Sequence, residues 1–379
     1  MLVSKKMRTF ATFMTMLCIH ALAAANADVP QARELDYAKN FTIEEYADYK
    51  LLTVSNAYRN ATNVYRYALI PHSATLPDEL PRDVTVIRTP VKRVVIMETV
   101  YVGYLDALGQ LDQICGAASA SYINHPKVIQ GVESGDIQSI QSGQKLNIER
   151  LLLLQPDLIL TTSLGEGQID VSPQLQRAGL PVVLTADYME HHPLARAEWL
   201  KFLAAFFESE DRSNEIFNTI KAQYTSLVDK TKGIDERPSV FCGAPYSGSW
   251  HVPGGDSFIA RAIHDAGAHY LWADDRSRGS LPLDTERVFL KAAEADYWIH
   301  PSHYRSLSEL FNADPRFAKF RATQISQVFN NTRQVSKNGG NNIWERGIVH
   351  PEEVLADLIK ILHPDLLPEH ELIYYENLQ

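Results

Sequence analysis

Aromatic residues outside periodic apolar runs are the first candidates for chemistry in this sequence. They lie in polar or glycine-rich segments, at Tyr122, Tyr246, Trp250, Tyr270, Trp272 and Trp344. Three arginines, Arg276, Arg278 and Arg346, neighbour these aromatics. Aromatic faces cover the apolar body of a ligand, and guanidinium groups pair with carboxylates or other oxygen donors. The set predicts a site for a large, partly apolar, anionic molecule. The ligand-binding candidates are Tyr122, Tyr246, Trp250, Trp344, Arg276, Arg278 and Arg346.

A second group of candidates follows from the strand–helix alternation that begins at Val91. Short apolar strands separated by helices predict a parallel sheet covered on both faces. Ligands of such sheets bind beyond the carboxyl ends of the strands. Met97, Glu98 and Thr99 stand at the end of the first apolar strand, so they join the ligand-binding candidates. Four further loops meet the same condition, at residues 119–122, 163–165, 246–255 and 300–303.

Patterns typical of catalysis or of a metal centre are weak. Ser247-Gly248-Ser249 lacks the G-x-S-x-G elbow of a nucleophilic serine. Asp274 and Asp275 are adjacent in a loop, where carboxylates are more often solvated. The pair His191-His192 is more typical of a helix start, and no C-x-x-C spacing is present. We therefore predict no catalytic residue, no protein-bound metal and no cofactor.

One long helix, residues 211–232, is predicted to organise the elements that carry these loops. Gly233 and Pro238 stop it. About 22 residues at a rise of 1.5 Å span roughly 33 Å, about the width of a small domain. The apolar residues follow the spacing of a helix buried on one side, at Ile216, Phe217, Ile220, Tyr224, Leu227 and Val228.

A repeated motif flanks this helix. Leu146–Leu151 and Leu283–Val288 both read L-[ND]-x-E-R, and each leads through an acidic turn into a buried strand. Asn147 and Asp284 are suitable N-cap residues for the short helix in each copy. Two similar lobes on either side of one helix explain the repeat most economically. We predict an α/β fold of two lobes, each a mainly parallel sheet flanked by helices, joined by one long rigid α-helix.

The N-terminal segment reads as an export signal. Lys5, Lys6 and Arg8 precede an apolar run that ends in Ala25-Asn26-Ala27, so we expect cleavage before Asp28. The small residues that precede a lipidated cysteine are missing before Cys18, and lipid anchoring is not expected. The predicted divisions are 1–27 signal peptide, 28–90 β-rich extension, 91–210 N-terminal lobe, 211–232 linker helix and 233–379 C-terminal lobe.

Composition limits the class of partner. The chain of 379 residues has a net charge of −10, which argues against nucleic acid and against a basic membrane-binding patch. Hydrophobic residues make up 45%, which is ordinary for a soluble globular protein, and we expect no membrane insertion after processing. Cys115 and Cys242 fall in opposite lobes in apolar strand contexts. Two buried free thiols are the default interpretation, and a disulfide stays open.

The motif GQKLNIERLLLLQPDLIL at 143–160 carries a resemblance to a known family, together with residues 93–99, 103–109, 252–267, 279–299 and 344–346. The chain resembles the substrate-binding proteins of ABC importers for iron complexes and cobalamin, the two-lobe class with a rigid helical backbone. The resemblance covers roughly residues 91–362. In the second copy of the motif Ala295 replaces the family's usual proline, a departure that affects a turn.

This resemblance implies capture of a ligand in the periplasm and its delivery to a permease dimer with its ATPase, without catalysis. The ligand would be a ferric siderophore or a related metal chelate such as cobalamin or haem, and the protein a monomer. Glu149 and Glu286 match the family's glutamates that dock onto permease arginines. Their alternative role is charge at a helix start. Two other functions stay open, namely a chelatase-like or metal-dependent enzyme on this scaffold and a sensory binding module.

Overall fold

A computed structural model describes residues 30–118, 120–142, 145–166 and 170–379. The predicted signal peptide, residues 1–27, lies outside the described residues, as do Ser119 and Gly143 of the predicted loop and motif. Among the described residues no helix has both the length and the apolar character to cross a bilayer.

The extension at residues 28–90 contains a five-stranded sheet with the strand order β1-β2-β3-β4-β5. Its strands are β1 Gln31–Ala32, β2 Phe41–Glu45, β3 Lys50–Val54, β4 Tyr65–Pro71 and β5 Val84–Thr89. Neighbouring strands are antiparallel except β4 and β5, which are parallel. The Phe41 ring meets the Trp199 ring edge-on at 4.7 Å between centroids, which joins the sheet to the core of the molecule.

A parallel sheet forms the centre of the N-terminal lobe, with the order β12-β11-β6-β7-β8. Its residues in β6 and β11 are buried throughout, as expected for a sheet covered on both faces. The strands are β6 Val94–Ile96, β7 Ile114–Ala117, β8 Gln138–Ser139, β11 Leu158–Thr161 and β12 Val182–Leu184, with a separate antiparallel pair β9 Gln141–Ser142 and β10 Lys145–Leu146. The helices are α1 Val100–Leu108, α2 Pro126–Ser134, α3 Ile148–Leu154 and α4 Ser172–Arg177.

Two helices follow at the centre of the molecule. Helix α5, Pro193–Ala204, is buried at every position except Lys201. Helix α6, Glu210–Thr231, is one continuous helix of 22 residues between the two lobes in sequence. Of its predicted apolar face, Phe217, Ile220 and Tyr224 are buried, each at most 2% exposed, and the other three positions are half-buried. The Tyr224 hydroxyl donates a hydrogen bond to the Asp265 carboxylate of the C-terminal lobe at 2.9 Å.

The C-terminal lobe repeats the parallel arrangement, with the order β16-β13-β18-β19-β20 and only β20 antiparallel. The strands are β13 Ser239–Cys242, β14 Pro245–Tyr246, β15 Ser249–Pro253, β16 His269–Tyr270, β17 Ser280–Leu283, β18 Tyr297–Ile299, β19 Val328–Asn330 and β20 Glu376–Asn377. The helices are α7 Phe258–Asp265, α8 Thr285–Ala292, α9 Leu307–Ala313, α10 Arg321–Gln324, α11 Arg346–Val349 and α12 Pro351–Leu362. The predicted fold class is confirmed.

The segment predicted as a glycine-rich loop, 246–255, is instead part of a small antiparallel sheet. Strand β15 pairs with β14 on one side and with β17 on the other. Ser247 and Gly248, both with positive φ, make the two-residue turn between β14 and β15. The glycines and serines around 247–255 resemble a loop in the sequence, but the segment forms a short hairpin. Its buried side chains are Trp250 and Val252. The loop prediction was wrong here because the alternation covers only five residues.

The two copies of the repeated motif form capped helices as predicted. The Asn147 side chain accepts a hydrogen bond from the backbone N–H of Arg150 at 2.9 Å. Asp284 accepts one from the N–H of Glu286 at 2.9 Å. Cys115 and Cys242 are buried and free, which resolves the question of a disulfide.

Candidate functional site

A cavity of about 920 Å³, called the cleft below, lies between the two lobes. Thr99, which follows β6, and Tyr122, which follows β7, form its N-terminal-lobe wall. The opposite wall contains Gly243 after β13, His300 after β18 and Asn331 after β19. Both walls are built from the carboxyl ends of parallel strands, which is where the sheet rule places a ligand.

Three of the predicted aromatic residues are on the walls of the cleft. Tyr122 is 52% exposed, Tyr246 is 69% exposed and Trp344 is 39% exposed. Exposed aromatic faces on the wall of a concave site are available to pack against the apolar part of a ligand. Tyr122 comes from the N-terminal lobe and the other two from the C-terminal lobe, so a molecule in the cleft can touch aromatic faces on both sides.

The polar lining of the cleft is basic or neutral. Arg305, His251 and His303 are exposed and line it. Asn331, Thr332 and Asn341 add neutral hydrogen-bonding groups. No Asp or Glu is among the described residues that line the cleft. The chain as a whole is acidic, so the absence of lining carboxylates makes the cleft less unfavourable to an anion than an average part of the surface.

His300 lies at the floor of the cleft in an unusual backbone conformation. Its φ is +57°, and its Nε2 is hydrogen-bonded to the hydroxyl of Tyr375. Burial lowers the pKa of His300 to about 4, so the ring is neutral at pH 7. The cation available to a ligand here is Arg305, and the exposed imidazoles of His251 and His303 are the nitrogens that a metal carried by the ligand can reach.

The turn at 339–341 brings the C-terminal lobe against the N-terminal lobe beside the cleft. A Cβ atom on Gly340 would collide with the carbonyl oxygen of Tyr122, so this position requires glycine. The buried carboxylate of Glu345 accepts a hydrogen bond from the Asn124 N–H at 2.7 Å. Burial raises the pKa of Glu345 to about 7. These contacts join the two lobes on one side of the cleft.

Glu98 and Met97 lie behind the cleft wall and do not line the cavity. Met97 is only 6% exposed. Glu98 Oε1 accepts hydrogen bonds from the hydroxyls of Thr161 and Thr162 at 3.1 and 3.3 Å. Its Oε2 is buried without a hydrogen-bond partner. Burial raises the pKa of Glu98 to about 8, so the carboxyl is protonated at pH 7.

Trp250 is not a ligand contact, and this part of the prediction was wrong. The ring is 0% exposed and its indole N–H donates to the carbonyl oxygen of Cys242 at 3.0 Å. It packs among the rings of the C-terminal lobe, at 5.8 Å from the Trp298 centroid and 5.7 Å from that of Phe317. Strand β15 turns this side chain inward. Tyr270 and Trp272 are buried as well, at 2% and 4% exposure.

The three predicted arginines do not line the cleft either. Arg346 Nη2 lies 2.6 Å from the Glu353 carboxylate. The side chain of Arg276 is 86% exposed and lies 3.8 Å from Asp256. Arg278 is exposed and near enough to His191 for its charge to lower the pKa of that imidazole, after the larger effect of burial. Proximity in sequence to aromatic residues was a poor guide, because Tyr270 and Trp272 near Arg276 and Arg278 are buried. Arg346 follows the exposed Trp344, but its guanidinium pairs with Glu353.

The two glutamates expected to dock onto a permease occupy the first turn of equivalent helices. Glu149 is exposed in α3 and Glu286 is exposed in α8. Their surroundings differ, since Glu286 is paired with Arg316 at 2.6 Å. Arg316 also bonds Asp314 at 2.6 Å. The docking role stays a prediction.

Several cleft residues escaped the sequence analysis, although one signal pointed to them. The rule for carboxyl ends of strands had selected residues 300–303, and Arg305 is two positions further on. The same rule applied to β19 selects Asn331 and Thr332 directly. Asn341 lies in the Gly-Gly-Asn-Asn run at 339–342, which is typical of a flexible turn. The sequence indicates a short strand near residues 327–329, but the loop after it was not among the selected ligand-binding loops.

Comparison with known proteins identifies the family. Residues 94–334 match the family model of periplasmic binding proteins. An uncharacterised lipoprotein of Methanocaldococcus jannaschii is 26% identical over 297 residues, which covers 76% of this chain and 69% of that protein.

Two solved structures share the fold with low sequence identity. A periplasmic heme binding protein from Pseudomonas aeruginosa has a TM-score of 0.57 and 17% identity, covering 76% of this chain and 98% of that one. A molybdate periplasmic binding protein from Haemophilus influenzae has a TM-score of 0.57 and 18% identity, covering 76% and 90%. The family match spans well over half of the chain and agrees with the two parallel sheets and the cleft between them. The chain belongs to the periplasmic binding protein family.

Proposed function

We propose that this protein captures an anionic metal chelate, such as a ferric siderophore, and delivers it to the permease of an ABC importer. The observation that carries the proposal is the lining of the cleft. Arg305 and two histidines are there, and no described carboxylate is. In a chain with a net charge of −10, a cleft of this character attracts an anion that the rest of the surface repels.

The size and aromatic character of the cleft favour an organic chelate over a simple inorganic anion. A volume of about 920 Å³ is in the range of pockets for organic ligands. Tyr122, Tyr246 and Trp344 offer apolar faces, which a small oxyanion does not use. Asn331, Thr332 and Asn341 add neutral polar groups to the cleft wall. The Thr332 hydroxyl donates to the Glu376 carboxylate and the Asn341 amide to the carbonyl oxygen of Asn331, so these contacts fix the wall that faces the ligand.

A second candidate is a haem or cobalamin ligand. It is favoured by Tyr122, Tyr246, His251 and His303, because phenol oxygens and imidazole nitrogens are protein ligands of haem iron. The solved structure from P. aeruginosa with this fold is named as a heme binding protein. Coordination of haem iron by one of these side chains would shift the Soret band of haem on binding, whereas a bound siderophore has no Soret band.

Capture without catalysis is the mode of action that we propose, in agreement with the family. We also propose that the chain is exported and begins at Asp28 after cleavage. The relative from M. jannaschii is described as a lipoprotein, so the anchor needs a direct test. N-terminal sequencing of the exported form checks it, and a lipid on Cys18 or an intact first segment would contradict it.

The ligand is to be identified by a fluorescence titration of the purified chain with ferric siderophores, iron-free siderophores, cobalamin, haem and molybdate. Four of the five tryptophans are buried, and Trp344 is the one on the cleft. We expect one ferric siderophore to quench the emission with a Kd below about 1 μM. The quenching should shrink in Trp344→Phe, while a separate calorimetric titration still shows binding. Saturable binding of none of the chelates would contradict the proposal.

A further inference from the structure

His350, Glu352 and Glu353 converge at the start of α12, outside the cleft. One imidazole nitrogen and one carboxylate oxygen from each glutamate lie within 4.8 Å of one another. None of the three residues lines the cleft. Across the described ranges, this is the only group of three or more His, Cys, Asp or Glu side chains with a geometry able to hold a metal ion.

One carboxylate oxygen of Glu352, Oε2, has no hydrogen-bond partner. The residue is 8% exposed, and its Oε1 lies 2.9 Å from Nδ1 of His350. Its Oε2 is buried and has no hydrogen-bond partner. A buried carboxylate oxygen without a partner costs free energy that a bound cation would recover.

The position at a helix start does not by itself explain this arrangement. Acidic residues in a first turn usually serve the free N–H groups of the helix. Here Pro351 has no N–H, and the Glu353 N–H donates to the carbonyl oxygen of His350 at 3.1 Å. Neither position 351 nor position 353 therefore donates a backbone hydrogen bond to Oε2 of Glu352.

Glu353 is held in place by groups that can act as outer partners of a metal site. The Tyr374 hydroxyl donates to Glu353 Oε2 at 2.6 Å, and Arg346 forms a bidentate pair with the same carboxylate, from Nη2 to Oε1 at 2.6 Å and from Nε to Oε2 at 3.1 Å. Such partners orient ligating carboxylates. Arg346 offsets one of the two carboxylate charges, which leaves a single net negative charge to receive a dication.

We propose that His350, Glu352 and Glu353 bind one divalent transition-metal ion, with Zn²⁺ the best fit. One imidazole and two carboxylates suit Zn²⁺ better than Mg²⁺ or Ca²⁺, which prefer oxygen ligands alone. Ligand atoms on a tetrahedral Zn²⁺ are about 3.4 Å apart, so the widest separation, which is at most 4.8 Å, would shrink by up to about 1.4 Å on binding. The side chains of His350 and Glu353 are 20% and 21% exposed, which leaves an entry path for the ion.

The ion would hold the end of α11 and the start of α12 together, since all its ligands lie at this junction. Helix α11, which precedes His350, packs against α1 of the N-terminal lobe, and α12 packs against the long helix α6. An ion bound where α11 meets α12 fixes the angle between these contacts. The midpoint of thermal unfolding should therefore rise with Zn²⁺ concentration.

Isothermal calorimetry of the tag-free, chelator-stripped chain with ZnCl₂ tests this proposal. We expect one ion per chain, with Mg²⁺ and Ca²⁺ at least tenfold weaker. His350→Ala and Glu352→Gln should each weaken Zn²⁺ binding at least tenfold. The matched control is the cleft variant His251→Ala/His303→Ala, which removes two exposed imidazoles and should bind Zn²⁺ like the wild type.

Cobalt substitution provides a second readout that does not depend on the variants folding well. Co²⁺ in the wild-type site should show d–d absorption near 550–650 nm with the intensity of a low-coordinate site, and equimolar Zn²⁺ should remove it. Two results would overturn the proposal. One is the absence of Zn²⁺ binding by the wild-type chain below about 100 μM. The other is binding that the cleft variant abolishes and Glu352→Gln retains.

Discussion

At the scale of single residues, Trp250 shows how burial changes the role of a side chain. Its ring is fully buried between the sheet and the helices of the C-terminal lobe, and its N–H is satisfied by the carbonyl oxygen of Cys242. Truncation leaves a cavity the size of an indole ring. We expect Trp250→Ala to lower the free energy of unfolding by about 3–5 kcal/mol. Urea denaturation measures it, with the exposed Trp344→Ala as the control, which should change stability by less than about 1 kcal/mol. Equal losses in the two variants would contradict the assignment.

Glu98 gives a prediction on pH at the same scale. Burial raises its pKa from the usual value of 4.5 to about 8 in the folded chain, so the native state holds the proton more tightly than the unfolded state. The contribution of the protonated Glu98 carboxyl to the free energy of unfolding is complete below about pH 4.5 and is lost as the pH rises toward 8. Glu98→Gln keeps the neutral form throughout this window. The stability of the wild type relative to Glu98→Gln should therefore fall by at most about 1.4 kcal/mol per pH unit between pH 5 and 8.

Urea denaturation of both chains at pH 5, 6, 7 and 8 gives that difference directly. Glu190 and Glu345 also have raised pKa values, both about 7 because of burial. Both are present in the wild type and in the variant, so their contributions cancel. A difference that does not change with pH would show that Glu98 is ionised in the native state.

At the scale of elements, the helices α3 and α8 carry the docking hypothesis. Glu149 and Glu286 stand in equivalent first turns, one on each lobe. Rim charges act mainly on association and on the orientation of a partner, and salt weakens their effect. Reversal of both, Glu149→Lys/Glu286→Lys, should leave ligand affinity unchanged and reduce ligand-stimulated ATP hydrolysis by the reconstituted importer at least tenfold. The single variants should lose less, and the loss should lessen as salt rises.

A control with the same change of charge uses two other exposed glutamates, one on each lobe. Glu133→Lys/Glu294→Lys should stimulate the importer like the wild type. Glu286 pairs with Arg316, so Glu286→Lys places a lysine beside that arginine. Glu149→Lys creates no such contact in the described structure, so the two single variants should differ in their effect on stimulation. Normal stimulation by the Glu149→Lys/Glu286→Lys chain would leave these glutamates as helix-start charges only.

The elements themselves were largely predictable, and the orientation of single side chains was not. In the sequence, Pro351 marks the first turn of α12 and His363-Pro364 mark its end. The continuous apolar runs at 158–161 and 182–184 correspond to β11 and β12. Strand β15 was missed because glycine and serine at both ends resemble a loop. Because that strand was not predicted, there was no basis in the sequence for predicting that the Trp250 side chain points into the core. Arg305 lay beyond the expected loop end, so the true cleft cation was missed as well.

At the scale of the whole molecule, we expect α6 to limit how far the lobes can move. It is a continuous helix of 22 residues, and contacts such as Asn124 with Glu345 already join the lobes. We expect ligand binding to change the radius of gyration by less than about 1 Å, as for partners that move little on binding. Solution scattering with and without ligand measures this. A larger compaction would show that the lobes close about a hinge and that α6 bends.

The claim that an anionic chelate binds in the cleft is tested most directly by two arginine variants. Arg305 lines the cleft. Arg276 belongs to the same lobe, does not line the cleft, and has a side chain that is 86% exposed. Each loses one positive charge on truncation to alanine. Calorimetric titration with the chelate that the panel identifies should show an affinity loss of about tenfold or more for Arg305→Ala, since a charge-assisted hydrogen bond contributes roughly 1.5–3 kcal/mol. Arg276→Ala should bind like the wild type. Wild-type affinity in Arg305→Ala, or an equal loss in both variants, would contradict the account.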